Sequence, residues 1–162
     1  MLSLAMSVTA MTSLVFAEDT TEQTGAEYFP GWSLSQAKYV DFTRVYNTSR
    51  NSWEAKMTSK GTGASWNALQ YRVPQALLTQ GHTYTIKMYV RTEGFTGNNW
   101  LAHVYAGIDE VGHFVNNLKN GHTNEKKGVN LYGSPYFTIG LTQAAAGNLF
   151  IDDVQIIEPL PS

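Results

Sequence analysis

The chain of 162 residues contains no cysteine. No disulfide can staple it and no thiolate can act as nucleophile or ligand, so its stability must come from a packed core. An excess of one charge is also missing. Eleven Lys and Arg stand against thirteen Asp and Glu, a net charge of -2. That leaves no basic footprint for a nucleic acid or an anionic membrane surface. Long helical periodicity is scarce, and the amphipathic crossover helices that a parallel α/β fold requires are absent. No internal repeat, nucleophile elbow, Walker loop or HExxH motif occurs. The four histidines, 82, 103, 113 and 122, lack the tight spacing of a zinc site.

No Lys or Arg occurs before Lys38, yet the first seventeen residues, MLSLAMSVTAMTSLVFA, hold an apolar stretch ending in Val15-Phe16-Ala17. Small side chains stand where a signal peptidase reads. The stretch is too short and too rich in Ser and Thr for a membrane span. Residues 1–17 therefore read as an export signal, truncated upstream or atypical, and the protein as secreted. Residues 18–26 are a polar, acidic spacer, 27–158 the structured domain, and 159–162 the start of a Pro- and Ser-containing linker.

What the sequence has in quantity is strand. HTYTIKMYVR (82–91) alternates strictly, with Tyr84, Ile86, Met88 and Val90 on one face and Lys87, Tyr89 and Arg91 on the other. KYVDFTRVY (38–46), SWEAKMTS (52–59), ALQYRV (68–73), WLAHVYAGI (100–108), HFVNNL (113–118), SPYFTIGL (134–141) and NLFIDDVQII (148–157) are further strands. Pro74 ends the third of these, since a proline cannot donate to a ladder. QALLTQG reads as a helical turn or an apolar connection, and LKNGH and EKKG as turns or loops. Many short strands with turns between them predict an all-β, antiparallel β-sandwich. Trp32 and Trp53 are expected in its core.

Three segments, in order, resemble the secreted carbohydrate-binding modules of the family 4, 9, 16 and 22 group. SWEAKM followed by GASWNALQYRV is similar to their second and third strands, GHTYTIKMYVR to the next, and NLFIDDVQI to the last. Gly31-Trp32 fits the tryptophan near their start. The resemblance implies a jelly roll that binds xylan, β-glucan or amorphous cellulose in a concave groove. It implies no catalysis of its own, and a glycoside hydrolase attached in the same chain. Trp66, in the W-N-A-L-Q context, matches the family's groove tryptophan. An aspartate of the last-strand motif often holds a structural calcium in such modules, so the resemblance implies a cage from Asp152 or Asp153 with Glu27. Calcium needs six to eight oxygens. SPYFTIGLTQ departs from the family, offering Tyr136 and Thr138 where an aromatic-x-Glu pair is usual.

A sugar ring has apolar C–H faces and a belt of hydroxyls, so a groove for it combines aromatic rings with amides and charged donors. The non-core faces of the strands supply this mixture. Gln70 and Arg72 share one face. His103 and Tyr105 join the polar face if Ala102, Val104 and Ala106 face the core, and Tyr136 joins it opposite Phe137 and Ile139. The candidate binding residues are therefore Trp66, Gln70, Arg72, Tyr89, His103, Tyr105 and Tyr136. Lys87 and Arg91 are expected to pair with Glu54 or Glu93 on a solvated face.

Two alternatives stand beside a monomeric, polysaccharide-binding, non-enzymatic module. A small jelly-roll glycoside hydrolase needs two carboxylates roughly 5–9.5 Å apart across a cleft. Asp41, Glu54, Glu93, Asp109 and Glu110 lie in or beside strands, but no pair stands out. A structural or adhesive sandwich domain would show no exposed ring among its polar groups.

Overall fold

Strict alternation becomes strict burial. Tyr84, Ile86, Met88 and Val90 are at most 1% exposed in the computed structural model, inside the 14-residue strand Thr83–Thr96. The structure describes residues 6–9, 32–34, 37–61, 65–96, 100–106, 109–114, 119–141 and 146–158. In chain order the strands are β1 (Met6–Thr9), β2 (Trp32–Leu34), β3 (Val40–Asn47), β4 (Ser52–Ser59), β5 (Ser65–Arg72) and β6 (Thr83–Thr96). They continue with β7 (Trp100–Ala106), β8 (Asp109–Phe114), β9 (His122–Asn130), β10 (Tyr136–Leu141) and β11 (Ala146–Glu158).

All pairings among them are antiparallel. The first sheet has the order β3-β4-β11-β6-β9, and the second β2-β5-β10-β7-β8. β11 is shared along one edge: residues 148–151 pair with β4, and 155–158 with β1. Four residues of the segment expected as an export signal thus contribute a short strand to the first sheet.

The core lies between the sheets. Ala55, Met57, Leu149, Ile151 and the four apolar β6 residues come from the first, and Trp32, Leu69, Phe137 and Ile139 from the second. This is the predicted all-β sandwich. Trp32 is buried with its ring 5.9 Å from Phe137, edge to face. Trp53 is buried too, but apart from the main cluster, against Tyr46 at 5.4 Å and under the Arg44 guanidinium at 4.2 Å.

Two local expectations need correction. EKKG is not a loop: Glu125–Gly128 lies inside β9. Among the described residues β9 pairs only with β6, so it is an edge there, and charged side chains suit an edge because they discourage a further strand from adding. Gly128 has φ +70 and stands where the β6–β9 register shifts, so it supplies the left-handed residue of a bulge rather than a turn. The strand expected over 113–118 starts earlier, at Asp109, and is described as far as Phe114, while 115–118 lies outside the described residues. The ambiguous QALLTQG is a 3-10 turn at Gln75–Leu77, following Pro74.

One glycine is demanded by a close approach. Gly147, at φ +93, would set a Cβ 2.2 Å from the carbonyl oxygen of Gly94. This contact lies at the β6–β11 irregularity between Ala146 and Asn148.

Candidate functional site

The predicted polar residues of β5, β7 and β10 meet on the second sheet. The backbone register sets Tyr136 between Arg72 and Tyr105, and Thr138 between Gln70 and His103. The same register puts Val104 opposite Phe137 and Ala102 opposite Ile139, which are core residues. In backbone register, positions 103 and 105 therefore stand beside Thr138 and Tyr136. Trp66 is in β5, in the stretch between Ser65 and Leu69 where the pairing with β10 slips. The side chains of Trp66, His103 and Tyr105 lie outside the described residues.

Within this face, Arg72 is exposed and its guanidinium stands 5.1 Å from the centre of the half-buried Tyr136 ring. Its Nη1 donates to the Ser134 carbonyl at 2.8 Å, so the cation is aimed along the sheet rather than left to sweep through solvent. Gln70 is half-buried, and its backbone carbonyl accepts the Ser33 hydroxyl at 3.3 Å. Thr138 is fully buried, yet its hydroxyl has no hydrogen-bond partner among the described residues. A buried polar atom without a partner costs on the order of 1–3 kcal/mol.

Tyr89 is not part of this group. It belongs to β6 in the first sheet, and the Arg50 guanidinium lies 3.3 Å above its ring centre. The face that carries it is occupied by ion pairs. Glu54, its side chain fully buried, accepts Arg91 Nε at 2.9 and 3.0 Å, Arg91 Nη2 at 2.5 Å, and the Asn47 amide at 2.8 Å. Arg91 also pairs with Glu93 at 2.6 Å and covers the Phe150 ring at 3.6 Å. Lys87 pairs with Glu125 rather than with Glu54 or Glu93. The non-core half of HTYTIKMYVR therefore meets carboxylates and another arginine of its own chain.

The last-strand aspartates join the same network. Asp152 is fully buried. One of its oxygens accepts the Ser52 hydroxyl at 2.5 Å and lies 3.6 Å from Arg50; the other accepts the Asp153 N–H at 2.7 Å. Asp153 has φ +50, at the irregularity between Asp152 and Gln155, and takes Arg50 at 3.0 Å. Burial pushes the Asp152 carboxyl above its ordinary pKa, and the neighbouring Asp153 charge adds to this. The Ser52 hydroxyl, the Asp153 N–H and Arg50 pull it back.

The fit to calcium is poor at these two residues. Both carboxylates already hold Arg50, and no group of three or more His, Asp or Glu poised for a metal exists among the described residues. Glu27, the third expected ligand, lies outside the described residues. Arg50 itself was invisible to sequence reasoning. It sits in the loop NTSRNS, and nothing local tells that this loop folds over β11 and β6.

No protein-family model matches the chain, and no curated protein is significantly similar to it in sequence. Solved structures are similar to it in fold. The Stig cyclase Fisc from Fischerella sp. TAU, in complex with an indole ligand, superposes with a TM-score of 0.70 at 13% identity, over 96% of this chain and 100% of that one. The CBM22-1 xylan-binding domain from Paenibacillus barcinonensis Xyn10C gives a TM-score of 0.55 at 16% identity, over 98% and 95% of the two chains. The joined CBM22-1 and GH10 modules of Clostridium thermocellum xylanase Xyn10B, complexed with xylohexaose, give 0.54 at 16% identity, over 82% of this chain and 27% of that one. The chain thus has the jelly-roll sandwich fold found in family 22 carbohydrate-binding modules and in Stig cyclases.

Proposed function

We propose that the chain is a non-catalytic module that binds β-linked polysaccharide, namely xylan, β-glucan or amorphous cellulose, on the outer face of its second sheet. One observation carries this reading: Arg72, Tyr136 and Tyr105 form one cross-strand row, and Gln70, Thr138 and His103 the next. The Arg72 guanidinium, the Tyr136 ring and the Gln70 amide, brought together on adjacent rows, are groups that read the faces and hydroxyls of sugar rings. The likeness to a xylan-binding domain and to modules complexed with xylohexaose supports it. In this reading the module is exported as a monomer and holds an attached glycoside hydrolase at its polymer, which raises effective concentration without new chemistry.

A second reading is favoured by the superposition on the cyclase, which spans that chain whole. The chain would then transform a small indole-bearing substrate. Among the described residues the two fully buried carboxylates, Glu54 and Asp152, are held by Arg91 and by Arg50 of the β3–β4 loop, which favours the first reading. Affinity electrophoresis through soluble xylan, mixed-linkage glucan and mannan tests the proposal, with reducing ends followed in parallel. Retardation without new reducing ends is expected. Accumulating reducing ends would mean a hydrolase. Absence of retardation in every glycan, with a thermal shift on adding 4-(1H-indol-3-yl)butan-2-one, the ligand of a Fischerella cyclase structure, would favour the cyclase reading.

A further inference from the structure

A cavity of about 200 Å³ opens beyond the ends of β5 and β10, lined by Gln75, Leu78, Gln80, Leu131, Tyr132 and Gly133. It is below the size of a drug-like ligand site, which starts near roughly 300 Å³, so it suits one small ring. Its chemistry is mixed. Leu78, Leu131 and Tyr132 offer apolar surface, Tyr132 being 40% exposed, and Gln75 and Gln80 bring two exposed amides. Among the described residues no charged side chain lines it. A charged ligand would lose water there without meeting a counter-charge, whereas a neutral hydroxylated ring would find C–H contacts and amide partners.

The cavity is held in shape by its own backbone. Leu77 N–H donates to the Pro74 carbonyl and Leu78 N–H to that of Gln75, both at 3.0 Å, and His82 N–H donates to Thr79 at 3.2 Å. Thr79 N–H donates at 2.7 Å to the hydroxyl of Tyr84, whose ring is buried in the core. A preformed site loses little in ordering when it binds.

Its position ties it to the rows of the second sheet. The chain runs from Arg72 to Gln75 in three residues and from Tyr132 to Tyr136 in four. Val73 N–H bonds the Pro135 carbonyl at 2.9 Å, which clamps these two segments together, and Arg72 reaches Ser134 beside Gly133. The rows cross the strands, whereas the cavity lies beyond the strand ends. In the saccharide-binding reading, a chain along the Arg72–Tyr136 row would run next to these joined segments, and a group projecting from it would reach the cavity.

We propose that this cavity takes a neutral, single-sugar branch of a substituted polysaccharide whose backbone lies on the second sheet. The inference rests on the saccharide-binding reading. Calorimetry on the full chain tests it with three matched pairs: linear and arabinosyl-branched xylo-oligosaccharides, linear and galactosyl-branched manno-oligosaccharides, and linear and xylosyl-branched gluco-oligosaccharides. For whichever backbone binds, the branched partner is expected to bind roughly tenfold more tightly, one ring's worth of stacking. Tyr132→Ala should erase that difference and leave linear affinity unchanged. Gln80→Glu, an exposed change that puts a carboxylate at the cavity, should do the same, and melting curves check that both variants are folded. Equal or tighter binding of the linear partner by the unmodified chain would overturn the branch site while leaving the saccharide reading intact. So would an equal loss for linear and branched ligands in the two variants. Failure of all six ligands to bind would overturn both readings.

Discussion

Arg50 lies over Tyr89, its guanidinium carbon 3.3 Å from the ring centre, while the same cation reaches Asp153 at 3.0 Å and Asp152 at 3.6 Å. One side chain thus bonds a loop to β6 and β11 together. Removing it strands the buried Asp152 carboxylate. Loss of one partner from a buried pair typically costs about 3–5 kcal/mol. Arg50 is 27% exposed, and solvent screening reduces this to about 2–3 kcal/mol. Chemical denaturation of Arg50→Ala should show that loss. A loss below about 0.5 kcal/mol would mean that the contact is a surface ornament.

The same contact separates Tyr89 from the other predicted binding residues. Tyr89→Ala should weaken the fold, since a cation–π contact is worth about 0.5–2 kcal/mol and the ring's packing is lost with it. Migration through a glycan gel should be unchanged in that variant. A loss of retardation in a folded Tyr89→Ala protein would move the binding face to the first sheet.

Asp152 gives a pH dependence with a definite sign. Its pKa is raised on folding, chiefly by burial, so the folded state holds the proton more tightly than the unfolded chain. Its stabilising contribution is then fully present below the ordinary aspartate pKa of roughly 3.9 and is lost as pH rises through the raised folded value. Asp152→Asn removes the titration. The melting temperature of the unmodified protein relative to this variant should therefore be highest in acid and fall towards neutral pH. A gap that widens with rising pH would show that Arg50 and Ser52 outweigh burial at this carboxyl.

Much of this fold could be read from alternation alone. Tyr84-Ile86-Met88-Val90 and Ala55-Met57 are buried as their period-2 pattern requires, and Tyr136 opposite Arg72, one row from Thr138 opposite Gln70, sets these residues side by side on β5 and β10. Parity says which face of a strand a residue takes, but not which sheet the strand joins. That is why Tyr89 was placed with Gln70 although β6 and β5 lie in different sheets. The Arg50 contacts and the Gln75–Tyr132 cavity were illegible for a related reason: both arise where loops distant in sequence fold together. EKKG misled because turn-forming residues also suit a charged, bulged edge strand.

Thr138 offers a test of the second sheet's own energetics. Its side chain is fully buried and its hydroxyl lacks a partner among the described residues, while its neighbours in register are Gln70 and His103. Thr138→Val keeps the branched shape and removes the unsatisfied group. Stability should rise by about 1 kcal/mol in denaturant melts. A fall would show that the hydroxyl is satisfied by water held between the strands.

The aromatic residues of the second sheet carry the sharpest functional expectation. A lost stacking platform costs about 1–3 kcal/mol of binding, or roughly 5- to 150-fold in affinity. Trp66→Ala and Tyr136→Ala should each lower glycan affinity within that range without unfolding the chain. Tyr136 is half-buried and flanked by Arg72, so Tyr136→Phe, which keeps the ring and the cation contact, should retain most of the affinity that Tyr136→Ala loses. If binding instead works through hydroxyl contacts, the Phe and Ala variants will lose equally. If neither Trp66→Ala nor Tyr136→Ala changes retardation in any glycan, the rows on the second sheet are not where a polysaccharide lies.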